Sequence, residues 1–413
     1  MHISLWYEII PQAAPAMKAL QYRDFRLLWT GLFLSAVGTW MQIVAQALLV
    51  LRLTNGSAFA LGVVSLAQAI AFFVFALAGG AFADKYDKRR LLLTTQTLLM
   101  LLALGMGCLT LLGVVRLWMI VAIAFCSGAV LSFDQPARGA LIPLLVPPEA
   151  LMNAISLQSI VFSGAAMLGP VLAGLALSWI GYAGNFFLNA VSYLAVILTM
   201  LYIRIPRESE KPRAPFWSTV RTALGAVRRD SVLPRVFSGY GAMLFLGPSP
   251  AVMLPTFAVK ILRITPTQMG FLFACLGVGT IAGGLLIASL GDIRRKGVVF
   301  LTGIIVWSCA LAVFAVSEVM WLSMAALVLL GASQNAAGSS AITLMQTRVP
   351  PEMRGRVMSL NTLLMMGVRP LGDFPAGALI AGIGGPLTAG FSAALTGLYA
   401  LGLVATNRNL REA

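Results

Sequence analysis

The chain has 413 residues, of which 59% are hydrophobic and only 10% are charged. Soluble domains usually contain about 25% charged residues, so this composition excludes an ordinary soluble protein and predicts an integral membrane protein. The formal net charge of +15 would suit a nucleic-acid partner, but the basic residues stand at the ends of apolar runs and not on one polar face. We therefore expect the lipid bilayer, and no nucleic acid, as a partner.

Twelve apolar runs are long enough to span a membrane, which takes about 20 residues each. Runs of this length predict helices and not the strands of a β-barrel. The sequence thus predicts an all-α integral membrane protein with 12 transmembrane helices. The runs are centred near Val37, Phe72, Leu102, Ala124, Met167, Tyr193, Met243, Phe273, Ile305, Ala326, Met365 and Leu395.

The basic residues also predict the orientation. With the N-terminus inside, all but five of the 29 Lys and Arg residues fall on the cytoplasmic side, as positively charged loops normally do. Both termini are then cytoplasmic. No cleavable signal peptide is predicted, and we assign no function to residues 1–16. The five exceptions are Arg52, Arg116, Lys260 and Arg263 near outer loops, and Arg369 within a span.

Residues that hold metals or carry acid–base chemistry are few. His2 is the only histidine, and the four cysteines have no metal-like spacing, so we expect no metal and no cofactor. We interpret the cysteines as buried packing residues. No phosphate-binding loop of the Gly-x-x-x-x-Gly-Lys-Ser/Thr type occurs, which argues against ATP hydrolysis. The cysteines are Cys108, Cys126, Cys275 and Cys309.

A short charged loop joins the second and third spans. Small residues such as Gly80 favour close helix packing, and Asp84 can approach the N-terminal end of a partner helix, where the dipole favours a carboxylate. The alternative is a purely cytoplasmic anchor of basic residues. The loop resembles motif A of the major facilitator superfamily, except that Asp87 stands where that motif has glycine. The matching residues are Gly80, Asp84, Lys85, Lys88, Arg89 and Arg90.

The end of the fourth span carries a second charged group. Asp134 and Arg138 are spaced to pair, and Glu149 begins the fifth helix, where the helix dipole favours a carboxylate. Glu352 is its counterpart in the second half of the chain. A gate between the halves is one interpretation of these four residues; ordinary helix-end chemistry is the other.

The fifth span has a face of small residues, formed by Gly164, Gly169 and Gly174, beside Pro170. Such a face allows close helix packing, and the proline permits a kink. The pattern resembles motif C of major facilitator antiporters, with Ala173 and Gly174 in place of its paired glycines. A helix that is simply close-packed remains the alternative.

Four amides lie inside spans: Gln42 and Gln46 in the first, Asn185 and Asn189 in the sixth. Each pair is one helical turn apart and so shares a face. They either bond to neighbouring helices or line a polar cavity.

Arg369 and Asp373 are charged residues well inside the eleventh span, spaced i, i+4. Charges there are costly and are functional candidates. We expect Asp373 to take up a proton or meet a cationic group, and Arg369 to attract an anion or pair with Asp373. A static ion pair between helices is the alternative.

The chain contains an internal repeat. The Val-Pro-Pro-Glu of residues 146–149 recurs at residues 349–352, and the same offset carries Gly164, Gly169 and Gly174 onto other glycines. Parallel halves of six spans are expected from such a repeat. The predicted units are a leader 1–20, an N-terminal bundle 21–203, a cytoplasmic linker 204–235 with a surface helix near 216–228, a C-terminal bundle 236–406 and a tail 407–413.

These motifs, together with the Leu-Thr-Asn-Gly-Ser loop of residues 53–57, resemble the bacterial major facilitator branch that contains the enterobactin exporter and related drug efflux proteins. The resemblance implies a monomeric, proton-driven antiporter of the bacterial inner membrane that exports a small siderophore-like or drug-like amphiphile. A lipid or lysophospholipid flippase and a non-transporting receptor are alternatives. A membrane-embedded enzyme ranks last, because no catalytic cluster of His, Cys or carboxylates is present.

Overall fold

The computed structural model describes residues 15–203, 216–289 and 295–413, and these residues are almost entirely helical. A 3₁₀ turn, Pro15–Gln21, precedes the first long helix. The helices are α1 Arg23–Leu53, α2 Ala58–Lys85, α3 Lys88–Leu111, α4 Leu117–Leu141, α5 Pro148–Tyr202, α6 Phe216–Arg229, α7 Leu233–Leu246, α8 Pro250–Lys260, α9 Pro266–Ser289, α10 Lys296–Ala315, α11 Met320–Thr347, α12 Pro351–Leu363, α13 Arg369–Ile383, α14 Gly385–Thr406 and α15 Arg408–Glu412.

Ten helical segments of the described chain are long and apolar enough to cross a membrane. One of them, α5, turns at Gly181, whose φ of 66° lies in the left-handed region that glycine tolerates. Counting α5 as two passages and α12–α13 as one gives the twelve passages that the hydropathy pattern predicts. The surface helix also forms as expected, as α6.

Two of the passages are broken in the middle. The seventh divides into α7 and α8 at Gly247–Ser249. Pro250 begins the second piece, and proline is tolerated there because a backbone amide at the first helical position has no partner within the helix. The eleventh divides into α12 and α13 through one π-helical turn, Leu364–Val368. Such turns are frequent at functional sites.

The bundle has two ends, which we call the α6 end and the opposite end. At the α6 end, Arg348 pairs with Asp230 at 3.4 Å, and the Gly297 amide donates to the carbonyl of Ala413. At the opposite end lie the turn around Gly56, the bend at Gly181 and the turn before Pro266. The predicted cytoplasmic face corresponds to the α6 end.

The internal repeat is visible in the helix contacts. A β-carbon at Gly169 would lie 2.4 Å from Trp40 of α1, and one at Gly372 would lie 2.2 Å from the backbone of α7. Gly174 approaches α9, the second passage of the second half, and Gly377 approaches α2, the second passage of the first half. A β-carbon at either glycine would lie 2.6 Å from a carbonyl oxygen of that helix. The halves therefore pack by equivalent contacts, as pseudo-symmetry requires.

Contacts between the halves occur in the middle of the bundle and at the opposite end. There α5 packs on α9, and α2 packs on α13. The hydroxyl of Thr267 donates to the carbonyl of Gly174 at 3.2 Å, and the rings of Phe59 and Phe374 are 5.5 Å apart. The opposite end is thus closed by a seam between the two halves.

The prediction that the cysteines are buried is wrong for three of the four. Cys108, Cys126 and Cys309 are exposed on the helix surface, and Cys275 is half-buried. The reason is that a membrane protein can place apolar residues against lipid, so an apolar run does not imply burial inside the protein.

Candidate functional site

A polar chamber of about 200 Å³ lies within the first half, walled mainly by α1 and α4. Its walls carry amides and hydroxyls beside aromatic surface, a combination that suits an amphiphilic ligand. Of the predicted pathway residues, Gln42 and Gln46 line it, and so does Arg138 of the predicted gate. The other polar and aromatic lining residues are Ser35, Thr39, Trp40, Gln68, Ser127, Gln135, Phe162 and Tyr193.

The sixth-span amides take part in helix packing. The Asn189 amide donates to the Gln42 side-chain oxygen at 2.6 Å, which ties α5 to α1. Asn189 and Asn185 are both fully buried. Asn185 donates to the carbonyl of Gly181 at 3.2 Å. Of the two alternatives for these amides, the structure shows bonding to a neighbouring helix for Asn189, while Asn185 bonds within its own helix.

A second cavity, the interface chamber, has a volume of about 180 Å³ and lies between the halves. It shares Gln46 and Gln68 with the polar chamber, so the two are neighbours. Its far wall is formed by α8 and by Asp373 of α13. The chambers together extend from Arg138 in the first half to Asp373 in the second.

Asp373 is 4% exposed, and its Oδ1 accepts a hydrogen bond from the backbone amide of Ser249 at 2.9 Å. Ser249 caps the start of α8, where the helix dipole stabilises a negative charge. The carboxylate therefore joins α13 to the break in the seventh passage. The backbone of α13 also packs against α2, since the carbonyl oxygen of Asp373 would lie 3.0 Å from a β-carbon placed at Gly62.

The expected ion pair between Arg369 and Asp373 is not formed. Arg369 instead borders a narrow crevice inside the second half, beside Trp307 and Gln334. Both residues lie on α13, so their i, i+4 spacing is retained. Asp373 takes its hydrogen bond from the Ser249 amide of the seventh passage instead.

The Asp134–Arg138 pair forms as predicted, with 2.5 Å between Nη2 and Oδ2. Asp134 is fully buried and also accepts hydrogen bonds from Thr95 at 2.9 Å and Gln96 at 2.7 Å, both on α3. All these partners belong to the first half. In this conformation the pair joins α3 to α4 within the first half, and its role as a gate between the halves stays a prediction.

The remaining gate residues lie at helix starts. Glu149 is exposed in the first turn of α5, which agrees with helix-end chemistry. Glu352 lies in the first turn of α12, but its side chain is outside the described part of the structure.

Motif A forms the junction of α2 and α3. The surroundings of Gly80 and the side chains of Asp84 and Lys85 lie outside the described part of the structure, so the brace expected of Asp84 stays a prediction. Asp87, the departure from the motif, caps α3 by accepting from the Arg90 amide at 2.8 Å.

Two basic residues of motif A stand at the start of α3. Arg89 donates to the carbonyl of Leu201 at 2.6 Å and so joins α3 to the end of α5, while Lys88 is half-buried. The close helix approach that the motif predicts is made by the preceding residue, since a β-carbon at Gly79 would lie 2.0 Å from the carbonyl oxygen of Ser132.

A family model described as "Transmembrane secretion effector" matches residues 14–413. The chain belongs to this family. Curated relatives of this chain include the enterobactin exporter EntS of Citrobacter koseri, 25% identical over 94% of this chain and 93% of that protein. EntS of Salmonella typhimurium is 26% identical over 92% of this chain and 91% of that protein.

Solved structures support the major facilitator fold of this chain. A bacterial homologue of the human lysosomal transporter Spinster, in an inward-facing and unoccupied conformation, gives a TM-score of 0.72 with 16% identity over 92% of each chain. The nucleoside transporter NupG gives 0.70 with 13% identity over 94% of this chain and 99% of that chain.

Sequence reasoning missed several residues of the two chambers, namely Ser65, Gln68 and Gln135. The signal that identified Gln42 and Gln46 could have found them, because Ser65 and Gln68, and likewise Gln135 and Arg138, are polar residues one helical turn apart. The break at Gly247–Pro250 could have been found, because two prolines interrupt the seventh apolar run.

Proposed function

We propose that this protein exports small amphiphilic compounds, siderophore-like or drug-like, from the cytoplasm in exchange for protons. The observation that carries the proposal is the pair of neighbouring chambers, which reach both halves while the contacts between the halves seal the opposite end. Relatives named as enterobactin exporters support the substrate class and the direction.

The mechanism is alternating access, in which the halves rock around the chambers. In the present conformation the seam is closed at the opposite end. We assign the α6 end to the cytoplasm and propose that the substrate reaches the chambers from there. Substrate enters between Trp40, Phe162 and the glutamines of the polar chamber. Opening of the seam, with closure of the α6 end, then releases it outside.

Asp373 is the proposed proton site. It lies on the wall of the interface chamber and contacts the broken seventh passage through Ser249. Protonation would weaken its charge-assisted hydrogen bond to the α8 amide, and such bonds are roughly twice as strong as neutral ones. The proton thereby changes a contact at the junction of α2, α8 and α13. No bound cofactor is needed, because the proton gradient supplies the energy.

Uptake into inside-out vesicles tests this proposal. Fluorescent neutral, cationic and anionic amphiphiles are offered under an imposed proton gradient to wild type and to Asp373→Asn. Asparagine keeps the acceptor for the Ser249 amide, so the fold is retained while the proton site is lost. We expect gradient-driven accumulation to disappear in Asp373→Asn. Asp24→Asn makes the same chemical change at a more exposed acid at the start of α1 and should transport normally.

Accumulation that survives in Asp373→Asn would contradict the role of Asp373 and move the coupling to Asp84 or Asp134. If the wild type accumulates no compound but moves labelled lipid between leaflets, the flippase alternative replaces export.

A further inference from the structure

We propose that a pocket at the opposite end, beside Arg52, binds the headgroup region of an anionic phospholipid. The proposal rests on the proposed function only in assigning this end to the outer leaflet. The pocket has a volume of about 250 Å³ and lies apart from the two chambers.

The pocket spans the seam between the halves. Arg52 of α1 and Tyr182 of α5 form its wall on one side; residues 258–259 of α8 and 264–266 at the start of α9 form the other. A ligand in the pocket therefore contacts both halves at once. Because the two walls separate when this end opens, occupancy favours the conformation in which it is closed.

The pocket has an apolar interior and a cationic edge. Leu48, Leu51, Val259, Ile264 and Met269 supply the apolar surface. The guanidinium of Arg52 lies 5.6 Å from the centre of the Tyr182 ring, a cation–π contact that fixes its orientation. Arg52 has no hydrogen bond or ion pair with any residue that the structure describes, so its donors remain available for an anion.

Basic residues are unusual at this end, because positively charged loops normally stay in the cytoplasm. Lys260 extends along the turn at Gly56, where its Cε lies 2.8 Å from the position of a β-carbon, and Arg263 is exposed with a positive φ of 51°. In the turns of this end, all of which the structure describes, Glu318 is the single acid. The local charge therefore favours an anionic ligand.

The size of the pocket suits part of a lipid. Pockets for drug-sized ligands usually measure about 300–1,000 Å³. The polar chamber and the interface chamber adjoin each other, whereas this pocket shares no lining residue with either and so holds only part of a molecule. A phospholipid fits this requirement, since its phosphate can bind Arg52 and the first part of a chain can fill the apolar interior while the rest stays in the bilayer. Val259, on the pocket wall, is 44% exposed and offers a path to the surrounding lipid.

The test compares thermal unfolding of purified wild-type protein in detergent with added phosphatidylglycerol, phosphatidylcholine or inorganic phosphate. We expect phosphatidylglycerol to raise the unfolding midpoint by about 2 °C more than phosphatidylcholine does. Arg52→Gln should lose this difference, and native mass spectrometry should show that it retains less phosphatidylglycerol. The control is Arg116→Gln, which removes an exposed cation at the same end but outside the pocket and should behave as wild type.

An equal response of Arg52→Gln and wild type to phosphatidylglycerol would overturn the proposal. A full stabilisation by inorganic phosphate alone would replace the lipid with a free anion and would also overturn it. If Arg52→Gln does not fold, Arg52→Lys takes its place, since lysine keeps the charge but lacks the planar fork, and it should show a reduced lipid effect. None of these outcomes depends on transport, so the lipid proposal can be tested even if the uptake experiment contradicts the proposed function.

Discussion

At the scale of single residues, the buried Asp134 shows how charge is tolerated inside this protein. Its carboxylate accepts hydrogen bonds from Thr95, Gln96 and Arg138, which together replace the water that it lost on folding. A buried charge is stable only while such partners remain. The ion pair is therefore best understood as a structural junction between α3 and α4 that also borders the polar chamber.

Arg138→Gln should destabilise the protein by about 3–5 kcal/mol, because it leaves Asp134 buried without a counter-charge. The measurement is the thermal unfolding midpoint in detergent. The double variant Asp134→Asn with Arg138→Gln should recover part of the loss, since neither charge then remains.

The chain offers a matched control for this substitution. Arg408 and Glu412 have the same i, i+4 spacing and a similar distance of 2.6 Å, but both are exposed. Arg408→Gln should leave the unfolding midpoint unchanged, because solvent screens exposed ion pairs. Equal stability of Arg138→Gln and Arg408→Gln would show that Asp134 does not depend on Arg138.

The residue-level predictions from sequence succeeded where spacing within one helix decides the contact. The i, i+4 spacing correctly indicated the pair of Asp134 and Arg138. The same rule failed for Arg369 and Asp373, because the Ser249 amide binds Asp373. Contacts from another passage, such as that amide, leave no signal in the local sequence.

At the scale of helices, glycines control how closely the two halves approach. Gly174 on α5 and Gly270 on α9 lie in the seam, where added β-carbons would come within 2.6 and 2.7 Å of carbonyl oxygens of the partner helix. Small residues allow membrane helices to pack by van der Waals contact and weak hydrogen bonds. The seam should therefore be sensitive to side-chain size.

We expect Gly174→Leu to open the opposite end. The measurement is the reaction of an impermeant maleimide with a single cysteine at Ser65, which lines the interface chamber, in a background lacking the native cysteines. With Gly174 the cysteine should react from the α6 side of the membrane alone; with leucine it should also react from the other side.

Gly382→Leu is the matched control, because a β-carbon there meets no atom within 4 Å. It should leave the labelling pattern unchanged. If Gly174→Leu labels as wild type does, the seam is not closed by this contact.

The sequence predicted the small-residue face of α5 because three glycines recur at a spacing of five residues. It did not show that the face serves two different partners: Gly169 packs on α1 and Gly174 on the other half. That distinction depends on the crossing angles of the helices and on the position of the second half, which the local pattern does not encode.

At the scale of the whole molecule, the fold was predictable from sequence. Twelve apolar runs, the charge asymmetry and the repeat with a constant offset each indicate a two-half membrane bundle. The conformation was not predictable, because alternating states share nearly the same helices and differ in which end is sealed. The closed seam at the opposite end and the chambers that it bounds are findings of the structure alone.

Alternating access is tested most directly by measuring two distances between the halves in the same protein. Spin labels at exposed positions 90 and 354 report on the α6 end, and labels at 112 and 316 report on the opposite end. Alternating access predicts that acidification or a transported amphiphile shortens one distance while it lengthens the other. Two distances that change in the same direction, or a bundle in which neither changes under any condition, would contradict transport by rocking of the halves.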